Sequence, residues 1–282
     1  MKNQKKPPLL LVIAAIIAIL FSACYKEKER ELVSKEIQIS GEIKGIIIEG
    51  PWEVSVTQNS ENNSATIEYN VPDSKIRTEL RPNGYLFIRV HNLNNYRNVK
   101  LKANIKATEL KNIEGSGATI IYTYGEFNAS TDITLSGASK IDGFWCEGES
   151  AKITLSGASI LRHCTFKGKR LDVTLSGASN ATFRDIETNN RCKVNASGAS
   201  RFTGSGYAGE TSFSGSGAST FHTFDLESEK LDIDLSGASS AEVTVNNTIK
   251  GRLTGASTLK YKKATDVSGV SRDGASKVIR VE

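Results

Sequence analysis

Hydrophobic and polar residues alternate along this chain in short bursts, and from Asn112 onward the bursts repeat against a fixed glycine. Two places before that glycine stand Leu135, Leu155, Leu175, Ala196, Leu235 and Leu253. Four before it stand Ile113, Ile133, Ile153, Val173, Val194, Phe213 and Ile233, and six before it Ala151, Leu171, Cys192, Leu231 and Ile249. The places between are polar, as in Asp132-Thr134-Ser136, Lys152-Thr154-Ser156, Asp172-Thr174-Ser176 and Asp232-Asp234-Ser236. A strict period of two predicts strands with one buried face. Beyond the glycine, Ala138, Ala158, Ala178, Ala199, Ala218 and Ala238 are expected to turn inward. A further apolar column follows at Ile141, Leu161, Ala181, Phe202, Phe221, Ala241 and Leu259, then Phe144, Phe183 and Phe224. Each unit thus predicts two or three short strands separated by turns.

The glycine opens a Gly-Ala-Ser or Gly-Ala-Thr triplet at Gly117, Gly137, Gly157, Gly177, Gly198, Gly217, Gly237, Gly255 and Gly274. A period near 20 residues means stacked supersecondary units. The fold class this predicts is all-β: a single-stranded parallel β-helix, or β-solenoid, over residues 112–282. Equivalent residues would stack about 4.8 Å apart. The glycine would make the corner between two faces with a positive φ. A leucine-rich repeat is excluded, because its Leu/Asn signature and helix are missing. Residues 37–111 lack the triplet but hold strand-like runs at 46–48, 52–56, 65–69 and 85–90, separated by Gly50-Pro51, Asn62-Asn63, Pro72-Asp73 and Pro82-Asn83-Gly84. They predict an irregular β cap over the open N-terminal end, which would otherwise expose strand edges.

The first residues follow another rule. Lys2, Lys5 and Lys6 precede an apolar run from Leu9 to Phe21, then Ser22, Ala23 and Cys24. This is the layout of a secretory signal peptide, too short in its apolar part to span a bilayer comfortably. Residues 1–23 are read as the signal peptide and 24–36, with YKEKERELVSKE after the cysteine, as a charged tether. Removing the three lysines leaves 36 − 3 = 33 basic residues against 31 acidic, a net charge of +2 rather than +5. The signs are mixed along the chain and no basic stripe with interleaved aromatics appears, which argues against a nucleic-acid partner.

Phe21-Ser22-Ala23-Cys24 resembles the lipobox of bacterial lipoproteins. The resemblance implies cleavage before Cys24, a diacylglyceryl group on its thiol and acylation of the new amino terminus, enough acyl chains to hold a membrane firmly. Tyr25 stands where an inner-membrane retention signal would place Asp, which points to the outer membrane. Farther on, Ile46 to Gln58, IIIEGPWEVSVTQ, followed by the Leu-Ser-Gly-Ala-Ser repeats, resembles the head GIN domain of auto-transporter adhesins over roughly Ile43 to Leu259. The resemblance implies a secreted or lipid-anchored β-helical protein, wound right-handed, in the cell envelope. It brings no catalytic residues.

Candidate chemistry is sparse. Cys146, Cys164 and Cys192 fall at or near inward places and read as small buried hydrophobes. A Cys146–Cys164 disulfide is open in an oxidising compartment, although their frame positions differ by two. His91, His163 and His222 are scattered with no zinc-site spacing, so no metal or cofactor is expected. Asp232 and Asp234, with Asp225 and Glu227 upstream, are the carboxylates a polysaccharide lyase or glycoside hydrolase on this fold would use; they read first as a solvated face, with no Arg or Lys cluster converging on them in the repeat frame. Asn112, Asp132, Lys152, Asp172, Lys193, Ser212, Asp232 and Lys250 form one outer column, whose alternating charges from Asp132 to Lys193 would favour in-register stacking. Ser136, Ser156 and Ser176 stand one before the glycine, and Thr119, Ser139, Ser159, Ser179, Ser200, Ser219, Ser239, Ser257 and Ser276 two after it. They are expected to form a solvated hydroxyl ladder. The reading is a non-catalytic envelope lipoprotein, an adhesin or scaffold for glycan or protein held by a lipid at Cys24. A polysaccharide-degrading enzyme is the alternative.

Overall fold

The computed structural model describes residues 30–58, 61–94, 96–264 and 266–282. The expected signal peptide and Cys24 lie outside the described residues. The repeats stack as a parallel β-solenoid in the expected register. Ile133 lies between Ile113 and Ile153, and the column continues through Val173, Val194, Phe213 and Ile233. On the next face Ile121, Ile141, Leu161, Ala181, Phe202, Phe221, Ala241 and Leu259 stack in the same way. All of these side chains are buried. Each buried Leu or Ile contributes about 1.5–3 kcal/mol of transfer free energy, and stacking identical shapes packs them without voids. Phe183, Phe202, Phe213 and Phe221, drawn from adjoining columns, pack together in the middle coils, with neighbouring ring centroids 5.1–6.2 Å apart. Phe224, expected inside, is half-buried under Lys262, and Leu226 takes the inward place.

The stack starts earlier than the triplet. Gly45–Glu49 pairs in parallel with Asn112–Ser116, and Glu53–Thr57 with Ile120–Tyr124. Gly50, at φ 115°, is therefore the corner of a coil whose triplet has become Gly50-Pro51-Trp52. Another coil beyond it is split: Tyr85–Val90 pairs with Gly45–Glu49 and Leu101–Lys106 with Glu53–Thr57, both in parallel. Three antiparallel strands complete this end. Ser64–Tyr69 lies against Leu101–Lys106, Val33–Ile37 against Ser64–Tyr69, and Ile76–Leu80 against Tyr85–Val90. Segment 37–111 thus combines solenoid coils with antiparallel strands, and a strand occupies the last residues of the stretch read as a tether. At the other end, Asp266–Arg272 and Lys277–Arg280 each pair on one side only among the described residues, and exposed Arg272, Lys277 and Arg280 guard that edge against further pairing. The core runs from Ile37 to Ala264 and the ladders lie within Val33–Arg280, so a chain starting at Tyr25 carries the whole described folding unit.

The corner differs from the expectation. Ala138, Ala158, Ala178, Ala199, Ala218 and Ala238 are exposed, whereas Ser139, Ser159, Ser179, Ser200, Ser219, Ser239 and Ser257 are buried. The turn keeps three residues outside in succession, Ser156, Gly157 and Ala158, so Leu155 and Ser159, four places apart, both face in and the alternation keeps its phase across the corner. Ser159 then points in and closes the turn, its hydroxyl donating to the Ser156 carbonyl at 2.7 Å. The same bond recurs from Ser139 to Ser136 and from Ser179 to Ser176. An alanine at this place would leave the half-buried Ser156 carbonyl without this partner. The exposed alanines stack through their backbone, Ala158 N–H donating to the Gly137 carbonyl at 2.7 Å.

Two pairs of substitutions test these faces. Leu155→Asp buries an unpaired carboxylate and is expected to cost several kcal/mol in urea unfolding, while Thr154→Asp on the outer side costs less than about 1 kcal/mol. Ser159→Ala is expected to cost about 1 kcal/mol, whereas Ala158→Ser is close to neutral. Equal losses within either pair would show the faces to be misassigned.

Candidate ligand-binding surface

The strand that enters each glycine corner presents one outer sheet face with three columns of side chains. In the middle column Glu114, Thr134, Thr154, Thr174, Asn195, Ser214, Asp234 and Arg252 lie in register. Ile47 and then Phe87 extend it at the N-terminal end. The column changes character along the solenoid: apolar at Phe87 and Ile47, acidic at Glu114, hydroxyl-bearing at Thr134, Thr154 and Thr174, polar at Asn195 and Ser214, then charged at Asp234 and Arg252. The column nearest the corner reads Ser136, Ser156, Ser176, Ser197, Ser216, Ser236 and Thr254. Ser216 is exposed and the others are half-buried. Their hydroxyls make long contacts to the coil beneath, Ser156 to the Leu135 carbonyl at 3.3 Å and Ser176 to the Leu155 carbonyl at 3.4 Å. Those carbonyls already accept backbone N–H bonds at 2.9 Å from the same serines. The hydroxyls are therefore spare donors and acceptors. Of the two expected serine columns, this one faces outward and the column after the glycine does not.

The third column holds the alternating charges in the expected register, Asp132 beside Lys152, Lys152 beside Asp172, and Asp172 beside Lys193. Close ion pairs form at other steps: Asp172 with Arg191 at 3.1 Å and Asp232 with Lys250 at 3.6 Å. Around Asp232 a groove of about 510 Å³ opens, lined by Arg191, Glu210, Lys230 and Lys250. Its carboxylates are more than half exposed and each is matched by a lysine, Glu210 by Lys230 at 3.5 Å. Asp234 stands on the exposed middle column. This is a solvated ladder of paired charges, as on the far face, where Lys167 bridges Glu147 at 3.9 Å and Glu187 at 3.6 Å.

Cys146, Cys164 and Cys192 are free and buried. Cys146 stacks beside Phe166, and Cys164 beside Phe183, so the coil register separates the two sulfurs that the sequence left open to pairing. Desolvation pushes all three thiols up, Cys146 to about 11 and Cys192 to about 12, which keeps them protonated and unreactive. His91, His163 and His222 lie at the surface. Among the described residues no His, Cys, Asp and Glu group could hold a metal.

His163 nonetheless has a structural partner that its isolated position in the sequence concealed. It sits at a register shift with φ 57°, and its Nδ1 lies 2.6 Å from Asp142 Oδ1. Arg162 Nη2 at 2.7 Å and Lys140 Nζ at 3.3 Å approach the other carboxylate oxygen. Burial raises the Asp142 pKa, but hydrogen bonds from Arg162, His163 and Lys140 outweigh it and bring the carboxyl down to about 2. As pH falls, the unfolded chain therefore takes up this proton first. The stabilisation is full above about pH 4 and is lost as pH drops through about 2. Asp142→Asn is expected to lower stability at neutral pH by roughly 1–2 kcal/mol, a figure reduced for the exposure of Arg162 and His163. It should also flatten the stability curve between about pH 4 and 2. An unchanged curve in urea melts over that range would remove Asp142 as its source.

The comparisons with known proteins agree on the architecture. A family profile described as "Putative auto-transporter adhesin, head GIN domain" matches residues 42–203 and 163–264. A crystal structure of a "putative adhesin" from Parabacteroides merdae superposes with a TM-score of 0.69 at 16% identity, covering 89% of this chain and 97% of that one. Another "putative adhesin", from Parabacteroides distasonis, gives 0.63 at 18% identity, covering 90% and 98%. A "putative lipid binding protein" from Parabacteroides distasonis gives 0.58 at 15% identity, covering 89% and 97%. No curated protein matches the chain in sequence. At these identities the structures share the fold with this chain.

Proposed function

The chain belongs to the head GIN domain family of auto-transporter adhesins, and from that premise we propose that it is a non-catalytic, lipid-anchored envelope protein that binds a repetitive glycan along its outer sheet face. The observation that carries this reading is the stack Thr134, Thr154, Thr174 beside Ser136, Ser156, Ser176, six hydroxyl side chains in coil register on one outer face. Spare hydroxyls at a fixed spacing suit a ligand whose own hydroxyls repeat along one axis. Each contact is worth only about 0.5–1.5 kcal/mol, so such a surface gains affinity by extent rather than by one anchoring residue. The family name supports adhesion, and one structural relative, named a "putative lipid binding protein", keeps lipid in view as a competing ligand. Among the described residues no helix is long and apolar enough to cross a membrane. The anchor in this reading is Cys24, acylated after removal of residues 1–23, and the outer membrane is its destination.

Cys24→Ala is expected to release the protein from the membrane fraction; retention there, resistant to alkaline extraction, would refute the anchor. For the ligand, the chain starting at Tyr25 is screened against a glycan array. Replacing Ser136, Ser156 and Ser176 together with alanine should weaken binding about tenfold or more. Stability should change little, because the carbonyls beneath keep their backbone partners. Glycan cleavage that vanishes with Asp232→Asn or Asp234→Asn would establish an enzyme in place of a binding protein.

A further inference from the structure

The face that follows the glycine corner is built differently. In most coils its outward places carry polar or charged residues. In the Gly117 coil they carry Ile120, Tyr122 and Tyr124, all on the outer side of strand Ile120–Tyr124. Tyr124 is 54% exposed. One coil on, Trp145 is 44% exposed, and the Phe127–Cys146 bridge sets it beside Glu126, two residues past Tyr124. The other tryptophan, Trp52, is buried. Scattered exposed apolar residues need no explanation, but aromatics gathered on adjacent coils of a surface otherwise made of charge ladders do.

Their surroundings give the chemistry. The indole Nε1 of Trp145 donates to Glu147 Oε1 at 3.1 Å, which holds the ring by its edge. Ser55 and Thr57 flank Tyr122 and Tyr124 on the preceding coil, and Asp142 flanks Tyr122 on the following one. The charges around these rings are already matched: Asp142 by Lys140 and Arg162, and Glu147 by Lys167. Exposed aromatic rings with hydroxyls and carboxylate oxygens beside them complement a pyranose ring. Such a ring offers an apolar C–H face and radial hydroxyl donors. An anionic ligand would meet carboxylates, and a protein side chain would find no deep pocket to fill.

We propose that Trp145, with Tyr122 and Tyr124 on the preceding coil, forms an aromatic stacking subsite for a neutral saccharide beyond the glycine corner. The subsite rests on the glycan-binding reading and adds to the hydroxyl face an anchor of different construction. Desolvation and the neighbouring Glu147 carboxylate hold the Glu126 carboxyl above its usual range.

The two tryptophans make the test direct, because acrylamide quenches exposed Trp145 and spares buried Trp52. The chain starting at Tyr25 is titrated with neutral hexasaccharides (cello-, xylo-, manno- and chito-hexaose) and with polygalacturonate. Binding of a neutral oligosaccharide is expected to lower quenching toward the level of Trp145→Phe, in which Trp52 alone reports. Trp145→Ala should weaken affinity about tenfold with an unchanged melting temperature, and Trp145→Phe should recover part of the loss. Binding with unaltered quenching and full affinity in Trp145→Ala overturns the subsite and leaves the hydroxyl-face reading standing. Binding of polygalacturonate alone overturns the neutral class. Failure of every sugar to bind overturns both the subsite and the glycan reading on which it rests.

Discussion

The clearance between successive glycine corners governs this molecule. A Cβ on Gly157 would come within 2.5 Å of the Gly137 carbonyl oxygen, and one on Gly177 within 2.5 Å of Gly157's. With φ near 70° at each, any other residue would be strained and in collision with backbone. Keeping that column bare lets the alanine amides bond straight up the stack and holds the coils in register. Once the register is fixed, like must lie on like. Leucine stacks on leucine inside, hydroxyl on hydroxyl outside, and carboxylate near cation at the rims.

This explains why a chain with few aromatics and one methionine can fill a core of this length. The interior is one short cross-section repeated, and each coil covers the apolar face of its neighbour. The ends are where the logic stops. The N-terminal end is closed by antiparallel strands drawn from Val33–Ile37, Ser64–Tyr69 and Ile76–Leu80. The other relies on charged side chains at its edge strands.

The same constraint shapes the surfaces. The glycine corners are short, and in the proposed reading recognition spreads over the sheet faces between them. The two outer faces differ in means. Before the corner, spare hydroxyls repeat with the coil; after it, a small group of aromatics breaks the polar pattern. Binding through extent and binding through a local anchor are complementary, and both suit a ligand that is long and itself repetitive.

The sequence by itself determined the repeat, the inward columns at Leu135, Leu155 and Leu175 and their register, because a period of two against a period near 20 admits one way to bury the apolar set. It also marked Gly157 and its equivalents as corners. Only the tertiary structure decided what lies at the turn. Three consecutive outer residues, Ser156, Gly157 and Ala158, span the corner, so Ala158 faces water and Ser159 the core, an arrangement that residue polarity argues against. Tertiary pairing also revealed Gly50 as a corner, since Pro51 and Trp52 had erased the triplet while Ile46, Ile48 and Val54 kept the spacing. Trp145 comes beside Glu126, two residues past Tyr124, through coil-to-coil adjacency, and His163 meets Asp142 in the same way. Such neighbours exist because backbone hydrogen bonds stack the coils about 4.8 Å apart, a proximity that no local sequence pattern records.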